Sequence, residues 1–322
     1  MTARQILIRL PNWLGDLLMA RPLLHALRAA LPDAFITALG RPASRLLDRE
    51  SLWNEWRPWP EARAALAHES GYDAAVVMPP SFSSAWSLPR GIRLRSGFAG
   101  EGRSWLLTHA WRRPARGEMH LSREYLHLGE PLWVREVPLP PLLPRPAEVE
   151  AARRLAQAEI GERPYVVLGP GAVYGPAKRW PEERFVALGR RCLSRGLGVL
   201  ACGAASERDS AESIARAIGV PARALAGTTT IEQQLALCAG ARVTISNDSG
   251  LAHLAGASGS PTVVVFGSTS SAWTAPLGPR VAIAQRAPVC SPCFQRTCAI
   301  GYRCLVAVQV SDVERAWHEV AT

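Results

Sequence analysis

Short apolar runs alternate with helix-like segments along almost the whole chain, and this order restricts the folds that it can adopt. Residues 5–10 form the first run, a polar loop and leucines at helical spacing follow as far as Leu31, and residues 35–39 form the next run. Runs of this length are typical of strands buried on both faces of a parallel sheet. Further strands are predicted at residues 73–78 and 92–98. Strand, helix and strand in this order predict an α/β fold with doubly wound parallel sheets.

A proline-rich stretch interrupts the alternation near the middle of the chain. Residues 138–146 read Pro-Leu-Pro-Pro-Leu-Leu-Pro-Arg-Pro, the composition of a stiff, extended connector. The alternation then restarts, with predicted strands at residues 165–168, 197–201, 242–246 and 262–266 and helices at 148–160, 182–195, 206–218, 230–239 and 251–258. A chain of 322 residues is long enough for two domains. We therefore expect Rossmann-like domains at 1–146 and 147–322, with a ligand cleft between them.

The composition excludes several classes of protein and limits the partners. With 48% hydrophobic and 20% charged residues, the sequence is that of an ordinary soluble globular protein, not a disordered or collagen-like one. It has no apolar run of the roughly 18–20 residues that span a bilayer, and residues 1–16 lack the apolar stretch of a secretory signal. We therefore expect a cytoplasmic protein. The net charge of +10 favours phosphorylated small molecules, an anionic membrane face or nucleic acid, but no basic tail indicates a nucleic-acid arm.

The loop after the first strand carries a candidate for catalysis. It reads Leu-Pro-Asn-Trp-Leu-Gly-Asp over residues 10–16 and leads into a helix. Asp is a favoured N-cap residue, whose side chain accepts backbone N–H bonds, so Asp16 has a structural interpretation as a cap. The alternative is a general base at the mouth of the cleft. One carboxylate serves both purposes if each oxygen takes one of them.

A glycine-rich turn after the first strand of the second half carries the only lysine of the chain, Lys178. Residues 170–181 read Pro-Gly-Ala-Val-Tyr-Gly-Pro-Ala-Lys-Arg-Trp-Pro and lead into a helix. The spacing is not that of a Walker loop, but glycines and adjacent cations before a helix suit phosphate oxygens. The alternative is a surface turn with solvated charges.

A third segment ends a buried strand in polar groups. Residues 246–255 read Ser-Asn-Asp-Ser-Gly-Leu-Ala-His-Leu-Ala, and a helix is predicted to begin near Ser249. Gly250 allows a ligand to approach closely, and a helix N-terminus offers N–H groups to an anion. His253 lies one turn further on the same face. A single histidine is usually structural, but Asp248 and its neighbours favour a ligand-facing role.

Together these three segments resemble glycosyltransferase family 9, the ADP-heptose:lipopolysaccharide heptosyltransferases, over nearly the whole chain. Residues 11–16 are similar to the first loop of the family. Gly-Pro-Ala-Lys-Arg-Trp-Pro at 175–181, followed by Asn-Asp-Ser-Gly-Leu-Ala-His at 247–253, is the more specific part, and Lys-Arg-Trp-Pro is most similar to the heptosyltransferase II members. The resemblance implies a GT-B architecture, in which two Rossmann-like domains face each other across a cleft and bind the acceptor and the donor respectively.

The resemblance also implies roles for individual residues. Asp16 is then the general base, Lys178 contacts the donor pyrophosphate, and the donor site is lined by Asp248, Ser249, Gly250 and His253. Glu207 occupies the place of a ribose-binding acid, with Asp209 as its competitor. The implied reaction transfers heptose from ADP-heptose to a heptosyl-Kdo2-lipid A acceptor with inversion. Since fixed positive groups stabilise the leaving pyrophosphate, we expect the chemistry to need no metal ion and no cofactor.

Two features remain open at this stage. The cysteines Cys290, Cys293, Cys298 and Cys304 have the spacing C-x2-C-x4-C-x5-C, which fits a structural metal as well as thiols that are free or disulfide-linked. Residues 90–116 hold seven arginines, one acid and two tryptophans. They are either a solvated loop region or an acceptor-side surface for anionic sugars at the inner membrane face, where the protein would be peripheral.

Two other functions compete with heptose transfer. One is a GT-B transferase that uses another nucleotide sugar, in which case ADP would protect the protein from thermal unfolding no better than UDP or GDP. The other is a non-catalytic basic protein that binds nucleic acid or anionic glycolipid with strong salt dependence. We expect no nucleic-acid partner.

Overall fold

Each half of the chain builds its own six-stranded parallel sheet. The computed structural model describes residues 3–66 and 68–321. It divides after Pro140, inside the proline-rich connector, into two compact units, Met1–Pro140 (unit 1) and Pro141–Thr322 (unit 2). The ladders between neighbouring strands of both sheets are parallel. The predicted α/β fold with doubly wound sheets is therefore confirmed.

Unit 1 is wound outwards in both directions from its first strand. Its strands are β1 (Gln5–Arg9), β2 (Phe35–Gly40), β3 (Glu55–Pro58), β4 (Ala74–Val77), β5 (Leu94–Phe98) and β6 (His109–Trp111). Its helices are α1 (Leu14–Met19), α2 (Arg21–Ala30), α3 (Arg63–Leu66), α4 (Phe82–Trp86) and α5 (Leu121–His127), with 3-10 segments at Pro42–Glu50, Ser104–Leu106 and Glu130–Leu132. The strand order is β3-β2-β1-β4-β5-β6, so β1 and β4 lie side by side in the middle of the sheet.

Unit 2 repeats this arrangement. Its strands are β7 (Tyr165–Gly169), β8 (Gly198–Ala201), β9 (Ala222–Ala224), β10 (Thr244–Asn247), β11 (Thr262–Phe266) and β12 (Val281–Gln285), in the order β12-β11-β10-β7-β8-β9. Its helices are α6 (Pro146–Ile160), α7 (Glu182–Ser194), α8 (Arg208–Ile218), α9 (Ile231–Gly240), α10 (Gly250–Ala257), α11 (Ser271–Thr274), α12 (Arg303–Val306) and α13 (Val310–Ala321), with 3-10 segments at Pro176–Lys178 and Ala205–Glu207. Among the helices of residues 3–66 and 68–321, none combines the length and apolar character needed to cross a bilayer.

The inner strands supply the core because helices cover both faces of each sheet. Ile6, Leu7 and Ile8 in β1 are fully buried, and so are the three valines of β11. Burial of such side chains contributes roughly 1.5–3 kcal/mol each, relative to leaving them exposed. The charged and polar groups of the candidate site described below lie at the strand ends and in the loops that follow them.

The segment after β1 forms two helices where the leucine spacing predicts one. α1 ends at Met19, Ala20 follows, and α2 begins at Arg21. Pro22 stands in the first turn of α2 and has no N–H for the carbonyl four residues earlier, which a continuous helix requires. The prediction of one helix as far as Leu31 was therefore wrong. α1 is a separate short helix, and it carries Asp16.

Candidate active site

The polar segments of unit 2 meet at one edge of its sheet. β7, β8, β10 and β11 are parallel and adjacent, so the loops that leave their carboxyl ends lie side by side. These loops are residues 170–181, 202–207, 248–249 and 267–270. The edge therefore brings together two segments that are about seventy positions apart in sequence, those of Lys178 and Asp248.

Lys178 and Asp248 form a buried ion pair. The Lys178 Nζ atom lies 2.5 Å from Asp248 Oδ2, and the two side chains are 13% and 2% exposed. The Thr269 hydroxyl donates to the same carboxylate oxygen at 2.6 Å. His253 Nε2 lies 4.0 Å from the other oxygen, Asp248 Oδ1. The carboxylate therefore organises a lysine, a hydroxyl and an imidazole around itself.

Asn247 fixes the turn that carries Lys178. Its Oδ1 accepts the backbone N–H of Trp180 at 2.9 Å, and its Nδ2 donates to the Pro170 carbonyl at 2.6 Å. The Trp180 indole is buried and donates to the Val308 carbonyl at 3.0 Å. Both ends of residues 170–180 are thus tied to the end of β10, which explains how a loop rich in glycine and proline holds a lysine in one place.

A second cation lies near the same turn. The Tyr174 ring has Lys178 Nζ at 4.8 Å and the Arg296 guanidinium at 5.3 Å from its centroid. The Arg296 carbonyl accepts the Ala177 N–H at 3.0 Å. Gly175 has a φ of +150°, and a Cβ there would lie 2.6 Å from the Arg296 carbonyl oxygen. The glycine is therefore required by the close approach of the two segments.

The start of α10 lies beside this cluster. Ser249 occupies the N-cap position with an extended backbone, but its hydroxyl lies 3.0 Å from that of Ser246 and makes no capping bond. Gly250 is the first helical residue, and the N–H of His253 donates to the Ser249 carbonyl at 3.3 Å. The buried His253 side chain is thus held one turn above Asp248.

Glu207 and its competitor Asp209 have different surroundings. The buried Glu207 carboxylate accepts the Ala204 N–H at 2.8 Å, and a Cβ on Gly171 would lie 2.0 Å from its carboxyl carbon. Glu207 therefore packs directly on the loop after β7. Asp209 is exposed in the first turn of α8. Of the two acids, only Glu207 contacts the loop that leads to Lys178.

Asp16 is not the N-cap of α1, so that interpretation was wrong. Trp13 occupies the N-cap position, and Asp16 is the third residue of the helix, because Leu14 and Gly15 are already helical. The side chain is half-buried. Burial raises the pKa of Tyr125 in α5 well above its usual range, and the negative charge of Asp16 raises it further. Asp16 therefore faces a buried phenol inside unit 1.

A buried arginine shapes the loop before Asp16. Arg9, at the end of β1, donates from Nη2 to the Asn12 side chain at 2.5 Å and from Nη1 to the Leu10 carbonyl. Its guanidinium lies 4.5 Å from the Trp59 ring centroid. Burial and the neighbouring charge of Arg41 lower the pKa of Arg9 to about 10, so it keeps its charge at neutral pH. Arg9 thus holds the loop 10–12 against the sheet edge.

The cysteines contribute no recognisable metal centre in residues 3–66 and 68–321, where no three His, Cys, Asp or Glu side chains are grouped to hold an ion. All seven cysteines are free thiols. Burial raises the pKa of Cys304, and the nearby Cys293 and Cys290 raise it further. The segment packs against the Lys178 turn, since Phe294 and Arg296 accept its hydrogen bonds.

The arrangement in both units matches a known family. Residues 63–302 match the sequence model of the family "Glycosyltransferase family 9 (heptosyltransferase)". The chain belongs to glycosyltransferase family 9. It is a glycosyltransferase of the heptosyltransferase type, as the resemblance in the sequence implies. Its two tandem Rossmann-like units are those of the GT-B architecture.

Relatives and a solved structure agree with this assignment. The heptosyltransferase is 33% identical over 301 residues to the lipopolysaccharide heptosyltransferase 2 of Salmonella typhimurium, covering 85% of each chain. It is 30% identical over 313 residues to the lipooligosaccharide heptosyltransferase 2 of Haemophilus influenzae, covering 86% and 87%. The structure of the Escherichia coli ADP-heptose lipopolysaccharide heptosyltransferase II superposes with a TM-score of 0.83 at 28% identity and covers 98% of both chains.

Some residues of the site escape sequence reasoning. Thr269, Tyr174 and Arg296 belong to the cluster in the structure. Tyr174 stands in the glycine-rich turn, but nothing in the turn singles it out, and Thr269 and Arg296 stand outside the three motifs. Thr269 had one usable signal, because it follows a buried strand whose carboxyl end lies at the ligand edge. Arg296 had none, since it lies among cysteines that point to a different role.

Proposed function

We propose that this heptosyltransferase moves heptose from ADP-heptose to a heptosyl-Kdo2-lipid A acceptor, with inversion at the anomeric carbon. Heptose transfer in lipopolysaccharide core biosynthesis is the activity that the family and its full-length relatives support. The observation that carries the proposal is the buried lysine–aspartate–threonine–histidine cluster beside the N-terminus of α10. This set of groups suits a nucleoside diphosphate better than a neutral ligand.

The donor is proposed to bind to unit 2. Lys178 would share its charge between Asp248 and the pyrophosphate, and the N–H groups at the start of α10 would face the phosphate oxygens. Glu207 would accept a hydrogen bond from a ribose hydroxyl. As the bond between the anomeric carbon and the phosphate oxygen breaks, negative charge accumulates on the leaving ADP. Fixed positive groups already in place stabilise that charge without reorganising.

Asp16 is the proposed general base for the acceptor, which would bind to unit 1. The acceptor hydroxyl attacks the anomeric carbon from the face opposite ADP, and its proton passes to the Asp16 carboxylate. One C–O bond forms, one breaks, and the configuration inverts. The Asp16 carboxylate is half-buried in the first turn of α1 and carries its charge near the buried Tyr125.

Asp16→Asn tests this proposal. Asp16 is not a cap, so the substitution removes no capping bond; losing the favourable charge in the first helical turn costs roughly 0.3–1 kcal/mol. We expect the variant to unfold within a few degrees of the parent, to bind ADP as tightly, and to turn over roughly 10²–10⁴-fold more slowly. Asp33→Asn, at an exposed aspartate of unit 1, is the matched control and should keep full activity.

The measurement is mass spectrometry of the acceptor after incubation with ADP-heptose, with NMR to assign the anomeric configuration of the product. A folded Asp16→Asn protein with near-parental transfer would move the base elsewhere in unit 1. Transfer from UDP- or GDP-linked sugars, but not from ADP-heptose, would replace the proposed donor. Retained configuration in the product would exclude direct displacement.

We also propose that the enzyme acts at the cytoplasmic face of the inner membrane and binds no nucleic acid. The acceptor is a lipid, so the acceptor-binding unit must reach a membrane surface. Salt-sensitive binding to random oligonucleotides in the micromolar range would contradict the second part of this proposal.

A further inference from the structure

Three aromatic side chains of unit 1 are exposed and touch one another. Phe82, Trp86 and Trp105 are 39%, 54% and 70% exposed. Phe82 and Trp86 stack with ring centroids 5.7 Å apart, and Trp105 meets Trp86 nearly at a right angle at 6.2 Å. Contiguous exposed aromatic surface is unusual unless it binds something, because water contact with it is unfavourable. These three residues are the aromatic cluster.

Two arginines connect the chain segments that carry the aromatic cluster. Arg103 is fully buried and donates to the carbonyls of Phe98, Pro79 and Ser81 at 2.7–2.9 Å. It thereby ties the loop that carries Trp105 to the start of α4, which carries Phe82 and Trp86. Burial lowers the pKa of Arg103 to about 10, and the charge persists at neutral pH. The three hydrogen bonds from its Nε and Nη1 atoms fix the two segments relative to each other.

Arg95 adds a second link between the same segments. It donates to the Pro89 carbonyl at 3.0 Å and to the Leu106 carbonyl at 3.5 Å. The link brings the segment after α4 to the 3-10 turn of Trp105. Arg90 and Arg93, in the loop beside this link, are exposed. Between residues 90 and 116 the only acid is Glu101, so the aromatic cluster is set in a basic surrounding.

The aromatic cluster lies at the same sheet edge as Asp16. β1, β4 and β5 are neighbours and parallel, and neighbouring strands are roughly 4.8 Å apart. The loop of Asp16 leaves β1, the loop of α4 leaves β4, and the loop of Trp105 leaves β5. All three therefore leave from adjacent carboxyl ends, where the acceptor is proposed to bind.

We propose that the aromatic cluster is the surface by which the enzyme docks on an anionic phospholipid bilayer. The inference rests on the proposed function, in which the acceptor is a lipid. Tryptophan and phenylalanine prefer the region between lipid headgroups and acyl chains, and arginines are attracted to anionic headgroups. Docking would place the Asp16 edge at the membrane surface, where the sugar of a lipid-linked acceptor projects.

A bilayer fits the aromatic cluster better than a stacked sugar does. Phe82 and Trp86 cover part of each other's faces, and Trp105 stands across Trp86, so the rings do not form one flat platform. A sugar needs such a face, whereas a membrane interface needs only exposed aromatic area next to positive charge.

The test is co-sedimentation of the full-length protein with vesicles that contain no acceptor. Vesicles of equal parts phosphatidylglycerol and phosphatidylcholine should bind the parent, and pure phosphatidylcholine vesicles should bind it more weakly. The double variant Trp86→Ser/Trp105→Ser should bind the anionic vesicles about tenfold more weakly or worse. The control is Trp133→Ser, at a tryptophan that is 84% exposed and outside the aromatic cluster, and it should bind like the parent.

Transfer kinetics separate docking from sugar binding. With acceptor embedded in anionic vesicles, the double variant should show a raised KM, whereas with a delipidated heptosyl-Kdo2 acceptor its KM and kcat should equal those of the parent. Equal loss with both acceptors would assign the rings to a sugar site and overturn the proposal. Unchanged vesicle binding by the double variant, or a dimer that the substitutions dissociate, would also overturn it. Vesicle binding is measured without donor or acceptor. Its result can therefore be interpreted even if the proposed heptose transfer fails.

Discussion

Lys178, whose ammonium group is proposed to contact the donor, already forms an ion pair with the buried carboxylate of Asp248. Asp248 also accepts from Thr269, so it has partners on two sides before any ligand arrives. A buried carboxylate that loses its cation is strongly unfavourable, whereas a neutral amide in the same place is not. The aspartate therefore has a structural purpose, which is to fix the lysine, in addition to any contact with the donor.

Lys178→Ala should show both effects of this pair. We expect roughly 10–100-fold weaker ADP binding, since a charge-assisted contact contributes about 1.5–3 kcal/mol. We also expect a loss of roughly 3–5 kcal/mol in the free energy of unfolding, because Asp248 is left without its cation. Calorimetry with ADP and chemical denaturation measure the two quantities.

The double variant Lys178→Ala/Asp248→Asn separates these two effects. It removes the unpaired charge, so stability should recover while ADP binding remains weak. If ADP bound the single variant as tightly as the parent, the lysine would not belong to the donor site. If the double variant were no more stable than the single one, the pair would not be the cause of the lost stability.

Among the elements, the end of β10 has the widest influence on the donor site. Asn247, its last residue, holds both ends of the segment 170–180 through its side chain. The same strand end continues into Asp248 and then into α10. One strand terminus thus positions the lysine turn, the carboxylate and the helix N-terminus together.

Asn247→Ala should therefore disturb stability and donor binding at the same time. It leaves the Trp180 N–H and the Pro170 carbonyl without their partner, at a cost of about 1–3 kcal/mol for each group. Thermal unfolding should show a lower Tm, and ADP titration a weaker affinity. Thr244→Val, a buried substitution in the same strand, is the control and should keep the ADP affinity of the parent. Normal ADP binding by Asn247→Ala would show that the lysine turn needs no such anchor.

The whole molecule consists of two units with separate cores. The connector between them is fastened at both ends within each unit: Arg21 donates to the Pro140 carbonyl at 2.8 Å, and the Leu142 N–H donates to the Ala257 carbonyl at 2.7 Å. The candidate donor groups all belong to unit 2, and Asp16 belongs to unit 1. We therefore expect each substrate to stabilise the unit that binds it.

Hydrogen exchange with and without ADP checks this division. We expect ADP to slow exchange most in residues 170–180, 202–209 and 247–254, because bound ligand suppresses local opening there. Protection centred on residues 9–20 of unit 1, with none in unit 2, would reverse the assignment of donor and acceptor units.

The inner part of both sheets follows from the amino-acid sequence alone. The predicted strands correspond to β1, β2, β4 and β5 in unit 1 and to β7, β8, β10 and β11 in unit 2. The strands that it missed are β3, β6, β9 and β12, which are the edges of the two sheets. An inner strand of a parallel sheet is covered on both faces and is mostly apolar, and that leaves a visible run in the sequence. An edge strand such as Glu55–Pro58 is only partly covered and leaves none.

The motifs that follow inner strands were visible for the same reason, since a buried run ending in polar residues marks the ligand edge of a sheet. Contacts between loops that are distant in sequence could not be predicted. Arg296 joins Tyr174 over more than a hundred positions, and Glu207 is distinguished from Asp209 only by its packing on Gly171. Asp16 is a first-turn residue and not a cap because the helix begins at Leu14. Short-range patterns record burial and chain direction, whereas such pairings depend on how loops that are distant in sequence pack against one another in three dimensions.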